Sequence, residues 1–459
     1  MSNALDSNYD VSHRMGEGTR RAETFFDAGT FVEIGAHVRR STDSGEWEGI
    51  VTGYGAVDGK LVFAFFQDNS RMKGAIDGRY TQKIENIYAL AVKNRAPIVG
   101  VLDSAGASVY DGASSMAAYG AWMKASSKAS GVIPRIAVID GVCAGSAAVA
   151  AAMADFVITA EETAEVYLRP TYDDEGKKLA SVRGLAAICS ENEASAFMSA
   201  RRLIGLLPSH NAEDCTLGTT FDPSTIRGEW NPKDVQGSLC SISDDHTIFP
   251  LWEDYGKGMT TAFVPIAGAL TAVIASNPAE NGGAIGAEEA RKAAKLISFA
   301  DAFGIPVVTL VDSIGVSDED SPMMATELAR LSTAYASATC PLITVVCGKA
   351  YGMGFTLLGS KALGADIVFA LPEASIGLLS PESAVAFVWN SRIDETISRE
   401  TLEAEWREAY ASPAEAACRG EVDDVIDGRE LRLRVGAAVS MLLFKDGDAP
   451  VRRHSVLPL

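Results

Sequence analysis

The stretch PIVGVLDSAG, at residues 97–106, recurs 209 positions later as PVVTLVDSIG, at residues 306–315. Each copy is a short run rich in β-branched residues that ends in Asp-Ser-x-Gly. That pattern is typical of a buried strand that runs into a tight turn. Because one such match could arise by chance, the fold prediction depends on whether the surrounding sequence repeats as well.

Three further features recur in the same order at nearly the same spacing. The recurring pairs are Pro134 with Pro341, Gly145 with Gly352, Ala154-Asp155 with Ala365-Asp366, and Lys83 with Lys292. The first two pairs belong to one repeated segment, in which a proline-led strand pattern leads to a glycine turn. Ordered features at a nearly constant offset indicate two copies of one structural unit.

Within each copy, helical and strand-like patterns alternate. Helices are predicted at residues 80–93 and 114–130 in the first copy, and at 288–303 and 323–337 in the second. Strands that alternate with helices pair in parallel and are covered by those helices. The sequence therefore predicts an α/β fold of two tandem domains related by internal duplication.

The segments outside this alternation complete the outline. Residues 51–57 and 61–66 are predicted to form a hairpin closed by Asp58-Gly59, a dipeptide suited to a two-residue turn. The stretch 209–252 is rich in Asn, Asp, Pro, Ser and Gly and is interpreted as the connection between the copies. Residues 397–444 are predicted to be largely helical.

Composition excludes several classes of protein. The 459 residues are 47% hydrophobic and 22% charged, and the net charge of −20 leaves no overall basic footprint for nucleic acid. The seven cysteines show no C-x-x-C spacing, which argues against a zinc ribbon or a disulfide framework. We find no apolar signal region and no run long enough to cross a membrane, so we expect a cytoplasmic protein.

Nucleophilic and metal-dependent mechanisms have little support in the sequence. Cys143 stands between two glycines, a loose echo of a nucleophile elbow, but none of the five histidines adjoins a glycine turn. A nucleophile needs a base within hydrogen-bond reach, so Cys143 is interpreted as a small buried residue. The scattered histidines predict no metal site.

The glycine turns allow two interpretations. Gly145 and Gly352 each stand between a predicted strand and a small-residue helix. A tight turn that needs positive φ is the simpler explanation. The alternative is an oxyanion hole, in which free backbone N–H groups face a developing negative charge. Spacing alone favours the simpler explanation, whereas the repetition of the turn favours the second.

Several segments in order resemble one family. They are FDAGTFVE at 26–33, GIVTGYG at 49–55, DSAGA at 103–107, the Ile-Pro to Cys-Ala-Gly segment at 133–145, KAYG at 349–352 and RHSVLPL at 453–459. From about Arg14 to Leu459, the chain resembles the carboxyltransferase subunits of biotin-dependent acyl-CoA carboxylases, transcarboxylases and acyl-CoA decarboxylases.

The resemblance implies two crotonase-like (ClpP/crotonase) domains and a division of labour. Residues 1–225 would form the acyl-CoA side and residues 226–459 the biotin side. The cofactor would be biotin on a separate carrier protein, with a coenzyme A thioester as substrate. The partners would be that biotin carboxyl carrier protein and a biotin carboxylase or a membrane decarboxylase subunit. The assembly would be a homo-hexamer, a trimer of dimers, with each site between two subunits.

The resemblance also implies roles for particular residues. The oxyanion holes would use backbone groups of Ala105, Gly106, Gly145 and Ser146 on the acyl side, and Met353 and Gly354 on the biotin side. Substrate binding would involve Gly74, Ala75, Lys83, Ala107, Gly315, Gly352 and Thr356. Lys83 has an equal alternative as a solvated helix lysine, and Thr356 occupies a position that influences acyl size in the family.

Both turns depart from the family pattern. Ala105 and Met353 replace glycines, and Ser108 replaces an arginine. The leading hypothesis is carboxyl transfer between carrier-bound biotin and a short-chain acyl-CoA of the propionyl/methylmalonyl or acetyl/malonyl class. A decarboxylase would add peripheral membrane association through its partner. The alternatives are a catalytically silent scaffold subunit and a biotin-independent crotonase-type hydrolase or decarboxylase.

Overall fold

The computed structural model describes residues 16–38, 48–168, 184–218, 229–318 and 323–445. These residues form two compact units, which divide between Glu213 and Asp214. The domain boundary expected at 225/226 and the tail motif at 453–459 both lie outside the described residues.

The first unit is built on an eight-stranded sheet. Its strands are β1 (Val32–Glu33), β2 (Ile50–Val57), β3 (Lys60–Gln67), β4 (Ile98–Ser104), β5 (Arg135–Ala144), β6 (Phe156–Ala160), β7 (Glu165–Tyr167) and β8 (Ile188–Ser190). The order is β1-β2-β3-β4-β5-β6-β8, and β7 pairs with β5. Pairing is antiparallel among β1, β2 and β3 and parallel from β3 onward.

The helices of this unit follow the predicted alternation. They are α1 (Glu17–Phe25), α2 (Gly78–Asn94), α3 (Ala113–Ala129), α4 (Ser146–Ala152) and α5 (Glu193–Leu206). Asp77 caps α2, since its side chain accepts hydrogen bonds from the N–H groups of Arg79 and Tyr80. The large buried side chains of the core include Phe65, Tyr80 and Trp122.

The second unit repeats this plan. Its strands are β9 (Phe249–Leu251), β10 (Met259–Ile266), β11 (Ala269–Ser276), β12 (Val307–Ser313), β13 (Leu342–Tyr351), β14 (Ile367–Ala370), β15 (Ser375–Gly377) and β16 (Asp424–Val425). The order is β16-β14-β13-β12-β11-β10-β9, and β15 pairs with β13. The same order in both sheets confirms the predicted α/β class and the duplication.

Eight helices belong to the described part of the second unit. They are α6 (Val235–Ile242), α7 (Ala287–Ala302), α8 (Met324–Ser337), α9 (Met353–Leu357), α10 (Pro381–Ala384), α11 (Arg399–Tyr410), α12 (Pro413–Cys418) and α13 (Leu431–Leu442). A π-helical turn, Val385–Trp389, continues α10. The helical prediction for the C-terminal segment is confirmed.

The central parallel strands are buried along their whole length. Every residue of β4 and of β12 is buried, as expected for strands covered on both faces. The predicted hairpin is also confirmed. Asp58 and Gly59 close it with φ angles of 49° and 81°, the positive values that a type I′ turn requires.

One interpretation of the sequence was wrong in part. The stretch 209–252 is more than a connection, because it contains α6 and β9. Strand β9 pairs with β10, and Asp244 accepts hydrogen bonds from the N–H groups of Ala267 and Gly268 in the β10–β11 turn. A three-residue strand that includes Pro250 is too short to produce a recognisable alternation.

Candidate functional site

The first candidate turn follows β4 and is fixed by the Asp103 carboxylate. Oδ1 accepts hydrogen bonds from Val142 N–H at 3.2 Å and Asn69 Nδ2 at 2.8 Å. Oδ2 faces the Arg21 guanidinium at 3.2 Å. A Cβ on Gly141 would stand 2.2 Å from Oδ1, so glycine is required for the carboxylate to approach the next strand.

The second candidate turn, after β12, is fixed in the same way. Asp312 Oδ1 accepts a hydrogen bond from Lys349 N–H at 2.9 Å. A Cβ on Gly348 would stand 2.3 Å from the Asp312 carboxyl carbon. The other oxygen, Oδ2, accepts a hydrogen bond from Trp230 Nε1 at 3.3 Å, where the first unit has an arginine.

A buried serine holds the next residues of each turn. Ser104 Oγ donates to Gly74 O at 2.6 Å and accepts from Gly106 N–H at 3.2 Å. Ser313 Oγ likewise accepts from Gly315 N–H at 3.2 Å. The repeated Asp-Ser pair is therefore the internal support of each turn.

The hydrogen bonds of the first turn separate occupied N–H groups from free ones. Ala105 N–H donates to Lys73 O at 2.9 Å and Gly145 N–H donates to Tyr167 O at 2.8 Å, while Gly106 N–H is taken by Ser104. Three of the four expected donors are therefore engaged. Among the described residues, none accepts a hydrogen bond from Ser146 N–H or from Ala107 N–H.

The second turn shows the same division. Gly352 N–H donates to Gly377 O at 2.9 Å, and Gly315 N–H is taken by Ser313. The N–H groups of Met353 and Gly354 begin α9 and find no acceptor in the described part of the chain. Free donors thus occur at corresponding places, since Ser146 and Met353 are the first residues of α4 and α9.

A cavity of about 600 Å³ adjoins the second turn. Its lining residues are Gly352, Met353, Phe355, Thr356, Ile376, Gly377, Leu378, Tyr410, Glu415, Ala416, Arg419 and Glu421. Most of the wall is apolar, and the charged residues belong to the segment that starts at Glu415. Volume and lining suit a small organic group with few polar atoms.

Three residues that were expected to bind substrate make structural contacts within the first unit. Gly74, with φ of 64°, lies against the turn, since a Cβ there would stand 2.7 Å from Asp103 O. Ala75 N–H donates to Met72 O. Lys83 is buried, and its Nζ donates to Ile50 O at 2.7 Å, so the solvated interpretation of this lysine is wrong.

The duplicated lysines share one environment. Lys292 is also buried, and its Nζ donates to the backbone oxygens of Tyr255 at 2.6 Å and Trp252 at 3.2 Å. Burial disfavours the charged ammonium and lowers the pKa of both Lys83 and Lys292 to about 8. Each lysine thus ties a helix to the backbone beside it.

The alternatives to an oxyanion hole were a cysteine nucleophile and a metal site. Cys143 is fully buried, and burial raises the pKa of its thiol to about 12, which fits a small packing residue. In the described ranges, no three His, Cys, Asp or Glu side chains form a group that could hold a metal ion. No helix among those residues is both long and apolar enough to span a bilayer.

Two supporting residues were missed by the sequence analysis. Arg21 reaches both Asp103 and the Asp140 carboxylate, the latter at 2.8 Å, and Trp230 supports Asp312. Neither lies in a repeated segment. The only signal in the sequence was the repeated aspartate. A repeated aspartate indicates a carboxylate that forms hydrogen bonds or ion pairs, but it does not identify the residues that form them.

A family model for the carboxyl transferase domain matches residues 13–171 and 174–457. The chain is 32% identical to the carboxyltransferase subunit of propionyl-CoA carboxylase from Haloferax mediterranei, over 97% of this chain and 94% of the relative. It is also 32% identical to the methylmalonyl-CoA decarboxylase subunit alpha from Veillonella parvula, over 98% of this chain and 95% of the relative.

A solved structure has the same fold. The transcarboxylase 12S hexamer assembly, with methylmalonyl-coenzyme A and methylmalonic acid bound, matches with a TM-score of 0.89 and 29% identity. The match covers 98% of this chain and 95% of that chain. The tandem fold implied by the sequence resemblance is thereby confirmed.

Proposed function

The chain belongs to the carboxyl transferase domain family, and from that premise we propose that it moves a carboxyl group between carrier-bound biotin and a short-chain acyl-CoA. The observation that carries the proposal is the pair of equivalent turns, one in each unit. Each turn presents unpaired backbone N–H groups on a rigid support. Such donors stabilise an oxygen anion where negative charge develops.

The first turn suits the thioester of an acyl-CoA. Loss of the carboxyl group from the α-carbon, or loss of the α-proton before a carboxyl group is added, leaves an enolate with negative charge on the thioester oxygen. The N–H groups of Ala107 and Ser146 would hold that oxygen, while Ala105, Gly106 and Gly145 would shape the turn through their internal hydrogen bonds. Rigidly held donors need no reorganisation when the charge appears.

The second turn suits biotin. Biotin supplies a ureido ring, and one nitrogen of that ring carries the carboxyl group. Here the N–H groups of Met353 and Gly354 would hold the ureido oxygen, and the apolar cavity beside them would take the ring. A mostly apolar wall that includes Met353, whose N–H is free, fits a group of that composition.

The chain's residues would act by positioning rather than by covalent chemistry. Asp103 and Asp312 fix the strand ends, and Ser104 and Ser313 fix the residues that follow. Cys143, the cysteine nearest the first turn in sequence, is fully buried with a raised thiol pKa, which does not suit a nucleophile. Much of the rate enhancement would therefore come from orientation and from the N–H groups.

The substrate class and the assembly rest on the relatives. Their names support propionyl- or methylmalonyl-CoA as the acyl group, and the transcarboxylase supports a hexamer. Each unit also exposes large apolar side chains that an assembly would cover. They are Val109, Tyr110 and Met116 in the first unit, and Phe387 and Val388 in the second. We also propose a biotin carrier and a biotin carboxylase or decarboxylase subunit as partners.

The test is transfer of label from methylmalonyl-CoA and malonyl-CoA that carry ¹⁴C in the free carboxyl group. The purified protein is incubated with each, with and without biotinylated carrier or free biotin. Biotin-dependent loss of label is the expected result. Loss without biotin would favour a crotonase-type decarboxylase or hydrolase.

A silent scaffold is the second candidate, and Ser108 is the observation that favours it. The family has an arginine at this position. Here Ser108 Oγ hydrogen-bonds Asp111, and the Ser108 backbone oxygen accepts a hydrogen bond from Ser115 Oγ at 2.9 Å. The first turn therefore lacks that positive side chain. A folded hexamer that transfers no label from any acyl-CoA would support this alternative.

A further inference from the structure

The two turns differ at the residue that follows the repeated glycine. Ser146 stands there in the first unit and Met353 in the second, and each supplies one of the unpaired N–H groups. The family pattern has glycine at the second position. Met353 therefore carries a long apolar side chain at a position whose backbone N–H belongs to the candidate site.

The surroundings of Met353 suit contact with a ligand. The residue lines the cavity of about 600 Å³ together with Phe355, Ile376, Leu378 and Tyr410. Half of the Met353 surface is exposed, and Leu378 is 84% exposed. These side chains keep apolar surface open to solvent, so a ligand that covers them gains the free energy of apolar burial.

We propose that Met353 is a specificity-determining residue of the C-terminal cavity and that its thioether side chain packs on the fused thiophane ring of biotin. The inference rests on the proposed function, because it takes the C-terminal turn as the biotin side. A ureido oxygen held at the N–H groups of Met353 and Gly354 keeps the attached ring within reach of a side chain on the same residue. Methionine has a flexible, polarizable side chain that adapts to an irregular apolar surface such as this saturated ring.

The inference predicts discrimination between two ligands that share the ureido group. Biocytin, which is biotin joined to lysine, carries the fused thiophane ring. Desthiobiotin lacks that ring and keeps the ureido group. If the Met353 side chain contacts the thiophane ring, its environment should change more when biocytin binds than when desthiobiotin binds. The backbone N–H groups contact only the ureido oxygen and would not distinguish the two ligands.

The first measurement is independent of turnover. The protein is labelled with ¹³C at its methionine methyl groups, and the Met353 signal is identified by its loss in Met353→Leu. Titration with biocytin is expected to shift this signal, and desthiobiotin at the same concentration is expected to shift it less. Met198 and Met441, both 65% exposed, serve as internal controls whose signals stay in place.

The second measurement uses kinetics. Met353→Gly is expected to raise the KM for biocytin about tenfold, the effect of losing one apolar contact of ordinary size. The KM for the acyl-CoA should stay within about twofold of the parent value. Met353→Leu keeps the apolar bulk and is expected to raise the KM for biocytin less than Met353→Gly does. Met198→Ala, remote in sequence and exposed, controls for the loss of a surface methionine.

Several results would overturn the inference. One is a Met353 signal that does not shift with biocytin at millimolar concentration. Another is an equal shift of that signal with biocytin and with desthiobiotin. A third is a Met353→Gly variant in which only the KM for the acyl-CoA changes. Failure of the proposed function looks different. A protein that transfers no carboxyl group but still shifts its Met353 signal with biocytin would retain the contact and lose the reaction.

Discussion

Gly145 and Gly352, 207 residues apart, adopt the same unusual backbone conformation. Their φ and ψ angles are 58° and −122° in the first and 51° and −119° in the second. Each glycine directly precedes a residue with a free N–H group, Ser146 or Met353, and each donates its own N–H to the neighbouring short strand. Residues with a Cβ rarely adopt such a positive φ, so the glycine is what aims the donors.

Gly352→Ala tests this requirement. The new Cβ would stand 3.3 Å from Leu378 O at a φ that favours glycine, and we expect a loss of about 1–3 kcal/mol in the free energy of unfolding. Transfer to biotin should fall by more than this stability change explains, because the donors would turn away. Gly120→Ala is the matched control. It lies within α3 with open space around its Cβ position, and it should stabilise the chain by about 0.5–1 kcal/mol.

Ser146→Pro tests the N–H donor of the first turn. Proline removes the N–H but is tolerated at the first position of a helix. Turnover with acyl-CoA should fall about 100- to 1,000-fold, the usual effect of losing one oxyanion donor. Ser146→Ala keeps the N–H and should retain activity within a few fold. Equal losses in both variants would assign the role to the hydroxyl instead.

Arg21→Met tests the support of the first turn. The guanidinium is almost fully buried between Asp103 and Asp140, and its removal would leave buried carboxylates without their cation. We expect a cost of about 3–5 kcal/mol, measured by denaturant unfolding. Trp230→Phe removes one hydrogen bond that a neutral donor makes to the Asp312 carboxylate. The Lys349 N–H bond to Asp312 remains, so this variant should cost less, about 1.5–3 kcal/mol. Similar costs for both variants would contradict this account.

Lys292→Met tests the buried lysine through pH. The native ammonium loses its proton near pH 8, whereas the unfolded side chain keeps it to about 10.5. The unfolded chain therefore binds more protons between these values, and the free energy of unfolding should rise with pH there. Relative to Lys292→Met, the parent should gain on the order of 1–3 kcal/mol from pH 8 to pH 10. Parallel pH curves for the two proteins would contradict the prediction.

The repeat made most of the fold predictable. Strand β4, the hairpin and helices α2, α3, α7 and α8 lie close to their expected positions, because each has a strong period or a turn dipeptide. Strand β9 and helix α6 were missed, since three residues with a proline show no period and a short helix in a polar stretch resembles a loop. Pairing with β10 decides the conformation of β9, and such pairing is not a local property of the sequence.

The candidate site was predictable in place but not in detail. The Asp-Ser-x-Gly repeat and the glycines at 145 and 352 located both turns. Sequence could not tell which N–H groups are free, because Ala105 donates to Lys73, a partner that only the folded chain brings near. It also could not tell a solvated Lys83 from a buried one. In each case the decisive contact joins residues about 30 positions apart.

The support of each turn has a consequence for how such a chain can change. Asp103 and Ser104 hold one turn with groups of the first unit, while Asp312 and Ser313 hold the other with groups of the second. A substitution on the exposed residue after either glycine therefore alters what that turn meets without loosening its frame. Because the supporting groups of each turn lie in its own unit, the residues at 146 and 353 can be changed independently of one another.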